Sequence, residues 1–250
     1  MSAARLIARK EAGELLLSLR GLSWLMAVAV ALSVFGLLLV SNTELSLLDN
    51  AQVVYDMVAI VTALGGLLAL VVGLDAVAGE RERGSLVALL LTPASRDAIL
   101  SGKLGGIAVA WAVMYALALP YLWAVGSTGQ NLREAVTILA VLGSPVVLGF
   151  GFFGMALGAR LATARTALLT GLIGLMISAS PLLLGPSLRQ SAIGRAFDVI
   201  NPISAAVNAY DGVIIDSQPV LGQWPHALLA AAWLVLALWL ARSGFRRVAR

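Results

Sequence analysis

Six apolar stretches dominate this sequence, at 22–40, 57–77, 104–125, 135–159, 166–184 and 220–241. Each is close to or above the roughly 20 residues that a helix needs to cross a bilayer core. Hydrophobic residues make up 60% of the chain and charged ones only 12%, whereas a soluble domain is nearer half apolar and a quarter charged. The expected fold class is therefore all-α: a polytopic membrane protein with six transmembrane helices, forming a single domain over residues 1–250. Pro225 and His226 stand near the outer end of the last stretch, so its core is expected at 227–241. Charges run through Arg20 before the first stretch, and no small-residue cleavage site follows it. That pattern reads as a retained span rather than a removed signal.

Orientation follows from the basic residues. If both termini lie in the cytoplasm, all of the 17 lysines and arginines except Arg133, Arg189 and Arg195 lie there too, as the positive-inside rule requires. The net charge of +4 is then a matter of membrane orientation, and no nucleic-acid partner is expected. On the outer side, 41–56 carries Glu44, Asp49 and Asp56, and a longer loop spans 185–223 with Pro186, Pro202 and Pro219. A loop of that length usually carries small helices of its own. Asn201-Pro202 reads as a turn between two short surface helices, the second over 203–210. At the N-terminus, Ala12, Leu15, Leu16 and Leu19 share one helical face. Residues 1–20 are either an amphipathic helix along the inner surface or the basic start of the first span.

Between the second and third stretches lies the one substantial charged segment, 79–103. Glu80, Arg81, Glu82 and Arg83 alternate in sign, and Leu86, Leu89, Leu90 and Pro93 then fall on one face of a helix. Pro93 disfavours helical geometry at Thr92. Ser95 is placed to cap the next helix, with Asp97 in its first turn. The expected object is a short amphipathic helix at the cytoplasmic surface that stops and restarts into a span.

Glu80, Glu82, Gly84, Ser85, Leu86, Leu89, Leu90 and Pro93 match the pattern E-x-E-x-G-[ST]-L-x-x-L-L-x-x-P, and the segment resembles the cytoplasmic coupling segment of ABC-2-type transporter permeases. Val87 departs from the pattern, since many members carry an acidic residue there. Leu74–Glu80 (L-D-A-V-A-G-E) and Ile200-Asn201-Pro202 are similar to the branch serving nitrous-oxide reductase maturation. The resemblance implies an elbow helix at 1–20 and a permease paired with a second copy of itself and two ABC ATP-binding subunits. ATP and magnesium would be bound by those subunits, and this chain would hold no cofactor of its own. It further implies an exporter in a prokaryotic plasma membrane, in contact with lipid and working with a periplasmic accessory protein. The implied interface comprises Glu80, Arg81, Glu82, Arg83, Gly84, Ser85, Leu86, Leu89, Leu90 and Pro93. In it the leucines dock into the ATPase while Glu80, Glu82 and Arg83 fix the register at its rim. Lys103, Arg160 and Arg165 either add polar contacts or meet lipid phosphates. Asp75 is either an anchor for this segment, pairing with Arg81, Arg83 or a partner's basic group, or a carboxylate hydrated at the interface.

Other chemistries find little support. Residues 79–85, G-E-R-E-R-G-S, have the glycine spacing of a phosphate-binding loop but no lysine, and their carboxylates would repel a triphosphate. With His226 as the sole histidine and no cysteine, a serine–histidine hydrolase or a three-ligand zinc site is not expected. Ion-coupled transport commonly needs ionisable groups at mid-membrane, and the stretches are nearly devoid of them. Within ATP-driven transport, the cargo stays open between enzyme maturation and export of a drug, lipid or other hydrophobic compound. A scaffold or signal transducer driven by an ATPase is the non-transporting alternative. Two G-x-x-x-G patterns, 102–106 and 154–158, permit close helix packing; ordinary packing within the chain is favoured over a dimer seam. Because the chain has no cysteine, single cysteines report its orientation cleanly. Arg96→Cys is expected to react with an impermeant maleimide only from the cytoplasmic side, and Arg195→Cys only from the outer side.

Overall fold

Without water to satisfy backbone groups, an apolar chain crosses a membrane as helix, and the described residues are all-helical, with no strand among them. This computed structural model describes residues 2–41, 50–126, 131–183 and 191–248. The expectations for Glu44, Asp49, Pro186, Arg189 and Arg250 lie outside the described residues. Helix α1 (Ala3–Leu17) is followed by α2 (Leu19–Ser41). Helix α3 (Asn50–Leu74) continues through a π turn, Asp75–Gly79, to Glu82. The short α4 (Ser85–Leu90) leads to α5 (Arg96–Gly126). Helix α6 (Leu132–Arg160) contains a π turn at Leu139–Gly143, and α7 is Ala164–Leu183. Two small helices, α8 (Ala192–Ile200) and α9 (Pro202–Tyr210), precede α10 (Trp224–Val248).

Five of these helices are long and apolar enough to cross a membrane: α2, α3, α5, α6 and α10. The stretch expected over 166–184 falls in α7, whose apolar part, Ala164–Ser180, is shorter than the other five. Most of the long helices overrun their apolar stretches, because helical hydrogen bonding continues through polar residues at the membrane boundary. Helix α3 begins at Asn50, so Asp56, expected in the outer loop, sits inside the helix. There its Oδ1 accepts from Gln52 Nε2 at 3.1 Å.

Helix α6 is central, packed against α3 on one side and α10 on the other, while α5 packs on α3 and α1 lies along α5. Glycine sets the closeness of these contacts. A Cβ at Gly73 would collide with the Gly151 carbonyl oxygen, and one at Gly154 with the Leu70 carbonyl oxygen. The 154–158 glycine pair therefore seats α6 on α3. The 102–106 pair seats α1 on α5, where Gly102 meets Ile7 and Gly106 meets the Glu11 side chain. Lipid supplies no hydrophobic drive between helices, so these close approaches contribute dispersion contacts that bulkier faces would forfeit.

Helix α9, expected at the surface, is instead buried along almost its whole length between α3, α7 and α10. Its small residues allow that depth, and its polar ends are satisfied. Asn201 Oδ1 accepts from the Ile203 N–H at 3.0 Å while its Nδ2 donates to the Ser178 carbonyl oxygen at 2.8 Å. The Tyr210 hydroxyl shares a 2.8 Å hydrogen bond with Thr62. The packing account predicts that Gly154→Leu destabilises the detergent-solubilised protein by about 1–3 kcal/mol or more through overpacking, read as a lower melting temperature. Gly174→Ala, whose Cβ would meet Phe153 at an ordinary 3.5 Å, is expected to melt like the native protein.

Candidate functional site

The π turn at Asp75–Gly79 rotates the end of α3 so that its four alternating charges point in different directions, and each finds a partner within the chain. Glu80 turns inward and is only 3% exposed. Its Oε2 accepts from Lys103 Nζ at 2.6 Å and its Oε1 from Lys10 Nζ at 2.9 Å. Lys103 is itself 1% exposed and also donates to Glu11 Oε1 at 3.1 Å. One carboxylate thus joins α1, α3 and α5. Lys10, half exposed, extends the set to Glu14 at 3.2 Å. Burial pulls the Lys10 ammonium down, but the hydrogen bond and charge of Glu80 outweigh it and hold it up at about 12. Burial raises Glu11 against the opposing pull of Lys103.

The next charges reach the other half of the bundle. Arg81 donates through Nη2 to the Leu161 and Ala162 carbonyl oxygens, satisfying groups that the end of α6 leaves open. Glu82 Oε1 accepts from the Ala164 N–H at 2.7 Å, at the start of α7, where a carboxylate also complements the helix dipole. Arg83 pairs with Asp75 Oδ2 at 3.2 Å, so Asp75 meets Arg83 among its three expected partners. Gly84 then adopts φ +75°, a left-handed geometry that glycine takes without a Cβ penalty. That reversal lets α4 start in a new direction, with Ser85 Oγ donating to the Glu80 carbonyl oxygen at 3.3 Å.

Helix α4 lies with its leucine face inward. Leu86 is 1% exposed, and Leu89 and Leu90 are half buried against the same core. The face implied for docking on an ATPase therefore packs on the chain's own bundle, because the nearest apolar surface for a tethered amphipathic helix is the bundle itself. What faces outward is Val87, 59% exposed, and Leu91, 82% exposed, one turn apart, with Pro93 also exposed. Helix α4 ends at Leu90, and Ser95 Oγ accepts from the Ala98 N–H at 3.2 Å as α5 begins.

By sequence alone Lys103 fits either polar contacts or lipid phosphate, and nothing nearby in the chain ties Lys10 or Glu11 to the site. A signal was present. Lys103 stands in G-K-L-G-G at 102–106, and a lysine flanked by packing glycines faces a neighbouring helix rather than water. Among the described residues no cluster has the makings of a metal site.

Residues 5–249 match the family model described as ABC-2 family transporter protein. No curated protein matches the chain. The buried network predicts a sharp asymmetry. Glu80→Ala, which leaves the buried Lys103 only Glu11 as a partner, is expected to cost about 3 kcal/mol, whereas Glu80→Gln combined with Lys103→Met and Glu11→Gln recovers most of that loss in thermal unfolding.

Proposed function

The chain belongs to the ABC-2 family of transporter proteins, which makes it the permease of an ABC transporter, and we propose that it couples to its ATPase through the outward face of α4. The observation carrying this reading is the exposure of Val87 and Leu91 on a helix whose other face is fixed to the bundle. Two apolar side chains one turn apart are the anchors by which a helix fills a groove. Behind them, Arg81 reaches α6, Glu82 reaches α7, and Glu80 reaches α1 and α5. Displacing α4 when the ATPase subunits close therefore moves the inner ends of several helices together. For such a stroke to do work, the ATPase must contact α4 differently in its two states.

Six crossings with both termini cytoplasmic fit this assignment. Ser2, Ala3 and Ala4 line one open cleft together with Arg242 and Arg246, which favours both ends on one face, and parity then requires an even number of crossings. On this reading α7 is the sixth crossing, α1 the elbow helix, and two copies of the chain work with two ATPase subunits. Direction outward and a place in the prokaryotic plasma membrane come from the same family likeness. The nitrous-oxide reductase branch would add a periplasmic partner. For that role the outer helix α8 offers Val199 and Ile200, both largely exposed.

Co-expression with the candidate ABC ATPase subunits of the same genome tests the interface. The Val87→Asp, Leu91→Asp double variant is expected to insert normally and to lose the ATPase in affinity purification. Leu86→Asp is expected instead to lower the amount of folded protein. Retention of the ATPase by the double variant would overturn the assignment of the face.

A further inference from the structure

Beside the charge network, between α1, the start of α2 and the inner end of α3, lies an open cleft of about 500 Å³. Its walls change character along its depth. The aqueous end carries Lys10, Glu14 and Arg83, and the other end carries Trp24, Val71 and Val72. Val71 precedes Asp75 by one turn of α3, about 6 Å deeper by helical rise, so the apolar end points into the bilayer. The volume is that of a small-molecule site, enough for a polar head and its first methylenes.

Charge decides which head. The carboxylates at and around the cleft are Glu11, Glu14, Asp75 and Glu80, and the cations that meet them are Lys10, Lys103 and Arg83. Among the described residues, one negative charge is in surplus. It falls at Glu14, which is half exposed and shares Lys10 with the buried Glu80. Trp24, also part exposed on the cleft wall, adds an indole, the strongest aromatic partner for a cation. The joint at Ser18 holds these walls in place. Its hydroxyl donates to the Glu14 carbonyl oxygen and accepts from the Gly21 N–H at 3.0 Å.

We propose that this cleft is an inner-leaflet binding site for amphiphiles with a cationic amine head, and that these are the cargo class of the permease. The head sits between Glu14 and Trp24, and the chain leaves past Val71 and Val72. As a statement about cargo the inference rests on the permease reading above; as a statement about binding it does not.

The test is equilibrium binding of radiolabelled dodecylamine to the purified chain in phosphatidylcholine nanodiscs, with empty nanodiscs measuring partition into lipid. Saturable binding above that background is expected, displaced by unlabelled dodecylamine and not by dodecyl phosphate. Glu14→Gln is expected to weaken it about threefold, as loss of one part-exposed charge partner does. Trp24→Ala is expected to weaken it about fivefold. Binding no greater than in empty nanodiscs, equal displacement by dodecyl phosphate, or native affinity in both variants would overturn the site. ATPase capture by the native protein, measured beside amine binding, separates the two readings. Amine binding without ATPase capture in the native protein sinks the coupling proposal and leaves the site, and the reverse sinks the site alone.

Discussion

The ion pair between Glu80 and Lys103 is the interaction on which the α1–α3–α5 end of this protein depends. Both groups are withdrawn from water, and the desolvation of two charges roughly cancels their attraction in such places. The pair therefore adds little net stability over a well-packed apolar pair. Its effect is on registry. A lysine buried at this depth tolerates few arrangements, and Glu80 meets it only if α3 ends with the rotation that the π turn at Asp75–Gly79 supplies. Glu11 and Lys10 then fix α1 to the same point.

Away from this end, the bundle is held by shape. Gly73, Gly154 and Gly158 bring α3 and α6 to backbone contact, and α9 fills the space among α3, α7 and α10 with small side chains. The two kinds of contact differ in how they transmit motion. Close glycine packing constrains helices along a seam and lets them slide or hinge, whereas the ionic hub joins helix ends at a point. On the proposed coupling, a push on α4 would be delivered at the hub and expressed as relative movement along the seams. Packed interfaces of this sort switch between arrangements rather than deforming smoothly.

Much of this architecture was legible in the sequence, and the limits have physical causes. Apolar length located the helices, Pro93 and Ser95 marked the break between α4 and α5, and the chemistry of Asn201-Pro202 marked the start of α9. Periodicity identified the apolar face of α4 through Leu86, Leu89 and Leu90, but a period cannot say which of two apolar surfaces that face will meet. The bundle is covalently tethered and always present, so it takes the leucines and leaves Val87 and Leu91 outward. The charge cluster was obscure for a related reason. Alternating charges look like a solvated surface, and their partners Lys10, Lys103, Leu161 and Ala164 are distant in sequence. Short helices in loops usually lie at the surface, and only tertiary packing reveals that the small residues of α9 fit inside.

The central claim is that α4 shows its partner the Val87 side and keeps the Leu86 side for itself. Cysteine labelling with a small maleimide, in the presence and absence of the ATPase subunit, measures that most directly. In this cysteine-free chain, the account predicts that Val87→Cys labels readily and is protected when the ATPase binds, while Leu86→Cys stays unreactive in both states. Free labelling of Leu86→Cys that the ATPase abolishes, with Val87→Cys unaffected, would contradict it.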